Sequence, residues 1–331
     1  MELKPTSRAQ PKVWPSPRQH AFLGAARQRA SCNRGQPAFD LRRQGRQAKY
    51  ITNFETHMTA LTIRHLLIDM KPPLARHWNG GEVFLSAFFD ALSMSFPVGE
   101  QFFIDSLREG LTQLPADQQP AWAREVQGFV GQEATHRRLH ELYNQHLATL
   151  GYENRWAPRV LKRLKRLESF TDKRHKVAVT ASTEHLTAIF AAWLLQHPSV
   201  LAQAPERMRQ LWLWHASEEL EHRCTAFDLY RALDGNELWR KRWMRLVSMH
   251  FALDVLRQTT HHLWRDGQLF KWSTWRGAQH WLFGRQGLLR WGASHWRAYF
   301  RADFHPSQFD DVSALQWLDQ HQDQWRTISK P

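Results

Sequence analysis

Two copies of the motif Glu-x-x-His stand in this sequence, at Glu133-x-x-His136 and at Glu219-x-x-His222. On an α-helix, residues three positions apart project from the same face, so each copy would present a carboxylate and an imidazole together. Both groups are ligands of iron, manganese and zinc. Chance alone would produce roughly one such motif in a chain of this composition, so the motif by itself does not predict a site.

A single glutamate precedes each motif at a similar distance. Glu100 stands 33 residues before Glu133, and Glu184 stands 35 residues before Glu219. In neighbouring antiparallel helices, such a separation places two positions at similar heights. One Glu from each of two helices, with Glu-x-x-His from each of two others, is the ligand pattern of di-iron and di-manganese four-helix bundles. The sequence therefore predicts a site for two metal ions, with the ligands Glu100, Glu133, His136, Glu184, Glu219 and His222.

The donor set indicates which metals would bind. Four carboxylates roughly neutralise two divalent ions, and this set favours iron, with manganese or zinc as alternatives. Cys32 and Cys224 are far apart, so they predict neither a disulfide framework nor a thiolate site. Glu218 and Glu221 flank Glu219 on other helix faces and are expected to face solvent. Three histidines within a turn of the ligands are expected to support them or to pack in the core: His140, His185 and His215.

The elements that must position these residues are helices. Apolar periodicity predicts helices over residues 82–92 and 98–107, separated by Pro97, and over 120–150, 173–196 and 205–234. Each predicted ligand lies on an otherwise apolar face, and strand signals are nearly absent. The predicted fold is all-α: a ferritin-like four-helix bundle with additional C-terminal Trp-rich helices.

Composition divides the chain into three parts. Residues 1–57 hold eleven Lys or Arg and three acids, and we expect a disordered basic leader. It could be an organellar address, a basic tail, or a segment before a true start at Met58. Residues 58–235 would form the metal-binding bundle, and residues 236–331, with ten of the 17 Trp, a helical Trp/Arg-rich extension packed on it.

Charge and hydropathy indicate which classes of partner the protein could bind. Much of the net charge of +14 comes from the leader, so it does not favour nucleic-acid binding. The sequence contains no run of about 18 apolar residues, which predicts a soluble protein, expected in the cytoplasm. Trp and Arg after residue 235 could instead make peripheral contact with a membrane surface. The expected substrate is a small molecule, and it would be apolar if the Phe residues near Glu100 line a pocket. The protein could also form a homodimer.

Several motifs together resemble a known bacterial family. They are Arg76-His77-Trp78-Asn79, the run from Phe84 to Glu100, Gln132-Glu133-Ala134-Thr135-His136, the run from His215 to Arg223, and Tyr299-Phe300-Arg301 with Phe304-His305-Pro306. The set is similar to the family described as predicted metal-dependent hydrolases, from about residue 60 to about residue 310. The resemblance implies a ferritin-like fold with a dinuclear metal site and a hydrolytic reaction.

The ligands themselves leave the reaction open. Two metal ions could activate a water molecule for hydrolysis, as the family resemblance implies. A carboxylate-rich pair of iron ions could instead use O₂ as an oxygenase or desaturase. A protein that binds metal without catalysis is the third alternative.

Overall fold

The computed structural model describes residues 61–329, and α-helices make up most of this part of the chain. The predicted all-α fold is therefore confirmed, whereas the predicted leader, residues 1–57, lies outside the described residues. In chain order the helices are α1 (Val83–Gln113), α2 (Gln119–Thr149), α3 (Trp156–Leu167), α4 (Arg174–Gln196), α5 (Glu206–Glu221), α6 (Thr225–Ala232), α7 (Glu237–Arg265), α8 (Trp272–Phe283), α9 (Leu288–Ala298) and α10 (Val312–Gln320).

Four of these helices surround the predicted site. Helix α1 packs along α2, α4 packs along α5, and contacts of α1 with α4 and of α2 with α5 close the ring. Helix α4 is long and apolar enough to span a membrane by composition, but 78% of its most apolar window is buried inside the protein. Its apolar surface is therefore used for packing in the core.

Pro97 does not interrupt the first helix, and the prediction of two separate helices there is wrong. Proline lacks the N–H that would bond the carbonyl of Ser93, four residues earlier. The side-chain amide of Asn144 on α2 donates to that carbonyl instead, with Nδ2 and O 3.0 Å apart. Since the carbonyl is satisfied, α1 continues through Pro97 to Gln113 and carries Glu100 in its interior.

The fourth predicted helix is divided in two. Helix α5 ends at Glu221 and α6 begins at Thr225, whereas the sequence predicted one helix over 205–234. The guanidinium of Arg223 donates to the carbonyl of Leu220, which a continuing helix would pair with the N–H of residue 224. This capping stabilises the break, and His222 lies in the turn just after α5.

Two short strands form a small antiparallel sheet that the sequence did not indicate. Strand β1 (Ile63–Leu66) pairs with β2 (Trp325–Ser329), and Leu66 lies opposite Trp325. Strand β1 lies close against α2 at Gly131, where an added Cβ would be 2.2 Å from Cδ1 of Ile63. This close approach brings Arg64 to the last turn of α5, where it contacts Glu218.

The helices after residue 235 pack on the four central helices. Helix α7 contacts α1 and α4, α8 contacts α1, α9 contacts α4, and α10 contacts α5. The side chain of Asn236 caps the N-terminus of α7 by accepting hydrogen bonds from the N–H groups of Leu238 and Trp239. The Trp residues of this region divide between packing and exposure, because Trp317 is buried whereas Trp264 and Trp272 are exposed.

Candidate metal centre

The structure brings the six predicted ligands into one buried cluster between four helices. Helix α1 supplies Glu100, α2 supplies Glu133 and His136, α4 supplies Glu184, and α5 with the following turn supplies Glu219 and His222. All six are buried, and Glu219, the most exposed, has 5% of its surface in contact with solvent. Subsets of them place ligand atoms within 4.8 Å of one another.

One end of the cluster is centred on His222. Its Nε2 atom lies 3.2 Å from Oε1 of Glu133 and 3.2 Å from Oε2 of Glu184. Oε2 of Glu219 lies 3.8 Å from the same nitrogen. Three carboxylates and one imidazole nitrogen therefore face one small volume.

The other end is centred on His136. Its Nδ1 atom lies 3.6 Å from Oε1 of Glu219 and 4.0 Å from Oε1 of Glu133. Glu100 forms a further group with Glu133 and His136. Glu133 and Glu219 thus face both ends, and Glu219 does so with a different oxygen at each end.

The hydrogen bonding of these side chains tests whether a metal pair would fit. Among the described residues, nine buried ligand atoms of the cluster have no hydrogen-bond partner: both carboxylate oxygens of Glu100, Glu133 and Glu184, Oε2 of Glu219, Nδ1 of His136 and Nε2 of His222. Buried polar atoms without partners are costly. Metal ions are a partner that satisfies carboxylate oxygens and imidazole nitrogens together, so the donor set fits two divalent ions.

The ionisation of the cluster also favours the binding of a cation. Burial raises the pKa of Glu100 and of Glu133 well above the usual range, and it raises the pKa of Glu184 to about 7. Burial also raises the pKa of Glu219, but the hydrogen-bonding contact with His215 and the nearby His222 outweigh it and leave that pKa well below its usual range. Without metal, carboxyl groups at such sites retain protons, and a bound cation would take the place of those protons.

His215 joins the cluster through a chain of hydrogen bonds that begins at Asn144. The Asn144 amide nitrogen is committed to the Ser93 carbonyl, so its oxygen accepts from the Ser93 hydroxyl at 2.8 Å. Ser93 Oγ must then accept from Nδ1–H of His140, 2.9 Å away. Burial lowers the pKa of His140 well below its usual range, so the ring is neutral and its Nε2 is an acceptor.

The next hydrogen bond in this series determines which nitrogen of His215 carries a hydrogen. Because His140 Nε2 accepts, Nδ1 of His215, 2.8 Å away, must carry the hydrogen. The other nitrogen, Nε2, lies 2.9 Å from Oε1 of Glu219 and 3.8 Å from Oε1 of Glu100. Two lone pairs would repel at 2.9 Å, so a proton or a metal ion must lie between His215 and Glu219.

Glu218 is buried, and the expectation that it faces solvent is wrong. Its Oε2 lies 2.9 Å from Nε2 of His136, and its Oε1 accepts from Arg64 at 3.0 Å. Burial raises the pKa of Glu218 to about 8, and the Arg64 charge opposes that shift. If Nδ1 of His136 bound a metal ion, the ring hydrogen would reside on Nε2, where Glu218 would accept it.

Gln132 and Glu221 orient the other histidine. Nδ1 of His222 lies 2.8 Å from the amide oxygen of Gln132, which leaves Nε2 free to face the carboxylates. The Gln132 amide nitrogen donates to Glu221 at 2.6 Å, and Glu221 also pairs with Arg64. Glu221 was expected to be solvated like Glu218, but its side chain is only 17% exposed.

We expect Glu218→Gln to weaken metal binding by about 10- to 100-fold, the usual effect of losing a partner that orients a ligating histidine. The amide keeps the size of the side chain but cannot accept from both Arg64 and His136 as a carboxylate does. Competition with a chelator of known affinity measures the change. Glu206→Gln, at an exposed acid on the same helix, is the matched control, and equal affinity in the two variants would contradict this role.

His185 has contacts of a different kind. Its Nε2 lies 3.1 Å from the carbonyl oxygen of His295, and its ring packs against Tyr299 and Phe304. Burial lowers the pKa of His185 to about 3, so the ring is neutral. It belongs to none of the ligand groups found among the described residues, which makes it a core histidine that fixes α9 against α4.

An apolar cavity of about 330 Å³ lies beside the cluster. Phe96, Gly99 and Phe103 on α1 and Thr183 and Thr187 on α4 form its inner wall, next to Glu100 and Glu184 in the chain. The Phe96 ring also lies against the cluster, 4.5 Å from the ring of His140 and 4.7 Å from that of His215 between centroids. One aromatic side chain therefore separates the cavity from the histidines.

Comparison with known proteins gives one match. A family model described as "Predicted metal-dependent hydrolase" matches residues 62–310, which is three quarters of the chain and contains every residue of the cluster. Neither the curated proteins nor the solved structures gave a match.

Proposed function

The chain belongs to the predicted metal-dependent hydrolase family, and from this premise we propose that the cluster holds two metal ions that serve hydrolysis of a small apolar substrate. The observation that carries the proposal is the set of nine buried ligand atoms without hydrogen-bond partners, all directed at one another. Four buried carboxylates would be strongly unfavourable in the ionised form without cations.

The distances support an assignment of the ligands. Glu133 and Glu219 would bridge the two ions, because each faces both His136 and His222. Glu184 with His222 would complete one ion and Glu100 with His136 the other. We assign His215 as a seventh ligand, on the second ion, because its Nε2 faces both Glu219 and Glu100.

Two bound metal ions would lower the pKa of a water molecule and polarise a carbonyl or phosphoryl oxygen of the substrate. The protein would supply the surroundings in which this chemistry proceeds. His140, Ser93 and Asn144 hold the ring of His215, while Glu218 and Gln132 hold the rings of His136 and His222. The Phe side chains of the inner cavity wall exclude bulk water from the side of Glu100.

The cavity supports an apolar substrate. The hydroxyl groups in its lining, those of Ser95, Thr183 and Thr187, each donate to a carbonyl of their own helix. Their hydrogens are therefore not free to bond a polar substrate. Arg163 and Asp254 in the lining form an ion pair, and Arg166 is exposed at the outer side. The rest of the lining is mainly aromatic and aliphatic surface.

A di-iron oxidoreductase that uses O₂ is the second candidate. The donor set favours it, because four carboxylates without a thiolate suit iron or manganese better than zinc. Hydrolysis stays the first proposal because the family is described by it. In either case the same residues hold the metal ions.

One purification separates the two candidates. The protein is isolated with its native metal, the metal is identified by elemental analysis, and hydrolysis of apolar aryl esters and phosphoesters is measured beside O₂ consumption. Zinc or manganese with ester or phosphoester cleavage and no O₂ consumption would support the hydrolase. Iron with an absorption band that changes on exposure to O₂, and no cleavage, would reject it. Metal without either activity would indicate a metal-binding protein.

Metal affinity should fall as the pH decreases below about 7. The pKa of Glu184 is about 7, so below that pH the metal must displace a proton that an ordinary carboxyl would already have lost. The pKa of His222 is also raised, because its contacts with Glu133, Glu184 and Glu219 outweigh burial, and this acts in the same direction. We expect about a tenfold loss of affinity per pH unit for each proton displaced.

Titration calorimetry at pH 7 in two buffers of different ionisation enthalpy measures this release of protons. The two apparent enthalpies should differ by an amount that corresponds to at least one proton per protein. Equal enthalpies, with an affinity that is constant between about pH 6 and 8, would show that the carboxyl groups are already ionised without metal.

A further inference from the structure

We propose that the surface formed by α3 and α7 docks on a bilayer that contains anionic phospholipid, and that the apolar cavity receives its substrate from that bilayer. The substrate part of this inference rests on the proposed function, whereas the docking part does not. We call this surface the α3–α7 face, and define it by the exposed side chains of those two helices.

The outward side of α7 is apolar, where a helix on the surface of a soluble protein normally carries polar residues. Its exposed apolar residues recur mostly at spacings of three or four, so they form one stripe along the helix. Their exposed fractions are 39% for Leu246, 50% for Met249, 40% for Leu253, 54% for Leu256 and 57% for Trp264. Continuous exposed apolar surface of this kind marks a contact with a membrane or with another protein.

Basic residues accompany this stripe. Helices α3 and α7 together contain eleven Lys or Arg and two acids, a formal net charge of +9. One of the acids, Asp254, is buried between Arg159 and Arg163 and adds no exposed negative charge. The exposed cations beside the stripe are Lys162, Lys165 and Arg166 on α3 and Arg242, Arg245 and Arg257 on α7.

The charge decides between a bilayer and a second copy of the chain. Two copies that met through the α3–α7 face would bring the exposed cations of one copy close to those of the other, which is unfavourable. Anionic headgroups are complementary to the cations, and the acyl region accepts Leu, Met and Trp side chains. An amphipathic, basic, aromatic helix lying in the membrane interface has this composition.

The cavity lies between this face and the residues that flank the cluster on α1 and α4. Its outer lining comes from α3, α7 and Phe170, and it includes the exposed side chains of Arg166, Leu246 and Phe170. Its inner wall is formed by residues adjacent to Glu100 and Glu184. The cavity therefore opens on the surface that we assign to the bilayer, and an apolar molecule could enter it from lipid without crossing water.

Vesicle flotation with the full-length protein tests the docking. The vesicles contain phosphatidylcholine alone or phosphatidylcholine with phosphatidylserine, and the variant is Met249→Asp/Leu253→Asp/Leu256→Asp, whose residues do not line the cavity. We expect the wild type to float with the anionic vesicles, less with the neutral ones and less at high salt. The variant should bind the anionic vesicles at least about tenfold more weakly.

A matched variant separates this face from general hydrophobicity. Leu67→Asp/Val312→Asp/Leu315→Asp changes three side chains of similar exposure, 50%, 51% and 52%, elsewhere on the protein, and should float like the wild type. All of these proteins keep residues 1–60, so any contribution of the basic leader to vesicle binding is shared. Circular dichroism and metal content confirm that each variant is folded.

Three results would overturn the proposal. The first is that the wild type does not float with anionic vesicles, and the second is that the two triple variants float equally. The third is that the wild type is a dimer in solution that the α7 variant alone converts to a monomer, without vesicle binding, which would assign the face to a second copy. Vesicle binding without any hydrolysis would instead reject the proposed function and leave the docking surface in place.

Discussion

Glu133→Ala is expected to remove both metal ions, whereas Glu141→Ala, eight residues further along α2, is expected to remove neither. Glu133 faces His222 at one end of the cluster, with 3.2 Å between Oε1 and Nε2, and it faces His136 at the other. If Glu133 is a ligand of both ions, its loss would leave each ion without one of its carboxylates. The side chain of Glu141 is 49% exposed and pairs with Arg137 at the surface.

Metal analysis and thermal unfolding measure this effect independently of any activity. The wild type should bind two equivalents, and adding metal at about 100 times the dissociation constant should stabilise it by about 2.7 kcal/mol for each ion bound. For a domain of this size the midpoint of unfolding should rise by roughly 5 °C or more. Glu133→Ala should show neither the metal nor the shift.

The number of metal equivalents that each variant retains tests the ligand role assigned to Glu133. One retained equivalent in Glu133→Ala would make Glu133 a ligand of one ion and leave Glu219 as the single bridging residue. Two retained equivalents at unchanged affinity would show that the cluster is not organised around Glu133. Loss of metal in Glu141→Ala would mean that the variants respond to a general loss of stability.

The metal cluster could be predicted because its pattern is mainly local. The spacing in Glu133-x-x-His136 and Glu219-x-x-His222 fixes two ligands on one helix face whatever the rest of the chain does. The separations of 33 and 35 residues then depend only on helix length and a short connection. The structure brings all six residues together for these reasons, although the identity of the metal is a question of chemistry that spacing does not answer.

The surroundings of the cluster could not be predicted in the same way. Periodicity assigned Glu218 to an outward face of its helix, but every residue from 211 to 220 is buried. Helix α5 has no solvated face there, because β1 brings Arg64 against it and α10 covers it. Strand β1 is paired with the far end of the chain, and such long-range contacts leave no periodic signal.

Pro97 shows how a local rule can be overridden by a distant side chain. The rule that proline interrupts a helix holds when the freed carbonyl has no other donor. Here Asn144 donates to the Ser93 carbonyl, and that hydrogen bond fixes which way the amide group points. The orientation of the amide then determines the hydrogen positions on Ser93, His140 and His215.

His215→Phe is expected to reduce the bound metal from two ions to one. Phenylalanine approximates the ring of histidine but has no nitrogen, so the second ion would lose a ligand between Glu219 and Glu100. An ion held by His222, Glu133 and Glu184 would not depend on His215 and should stay. Elemental analysis after dialysis against metal at low concentration measures the stoichiometry, and His185→Phe, at a buried histidine outside the cluster, should keep both ions.

The hydrogen-bond chain makes a more demanding test of the same assignment. Asn144→Leu leaves every proposed ligand in place but removes both the acceptor for the Ser93 hydroxyl and the donor for the Ser93 carbonyl. The hydrogen positions on His140 and His215 would no longer be fixed, and the affinity for the second ion should fall by about 10- to 100-fold while the first is unchanged. If His215→Phe bound two ions as tightly as the wild type, His215 would be only a hydrogen-bond donor to Glu219, and Asn144→Leu should then have no effect on either ion.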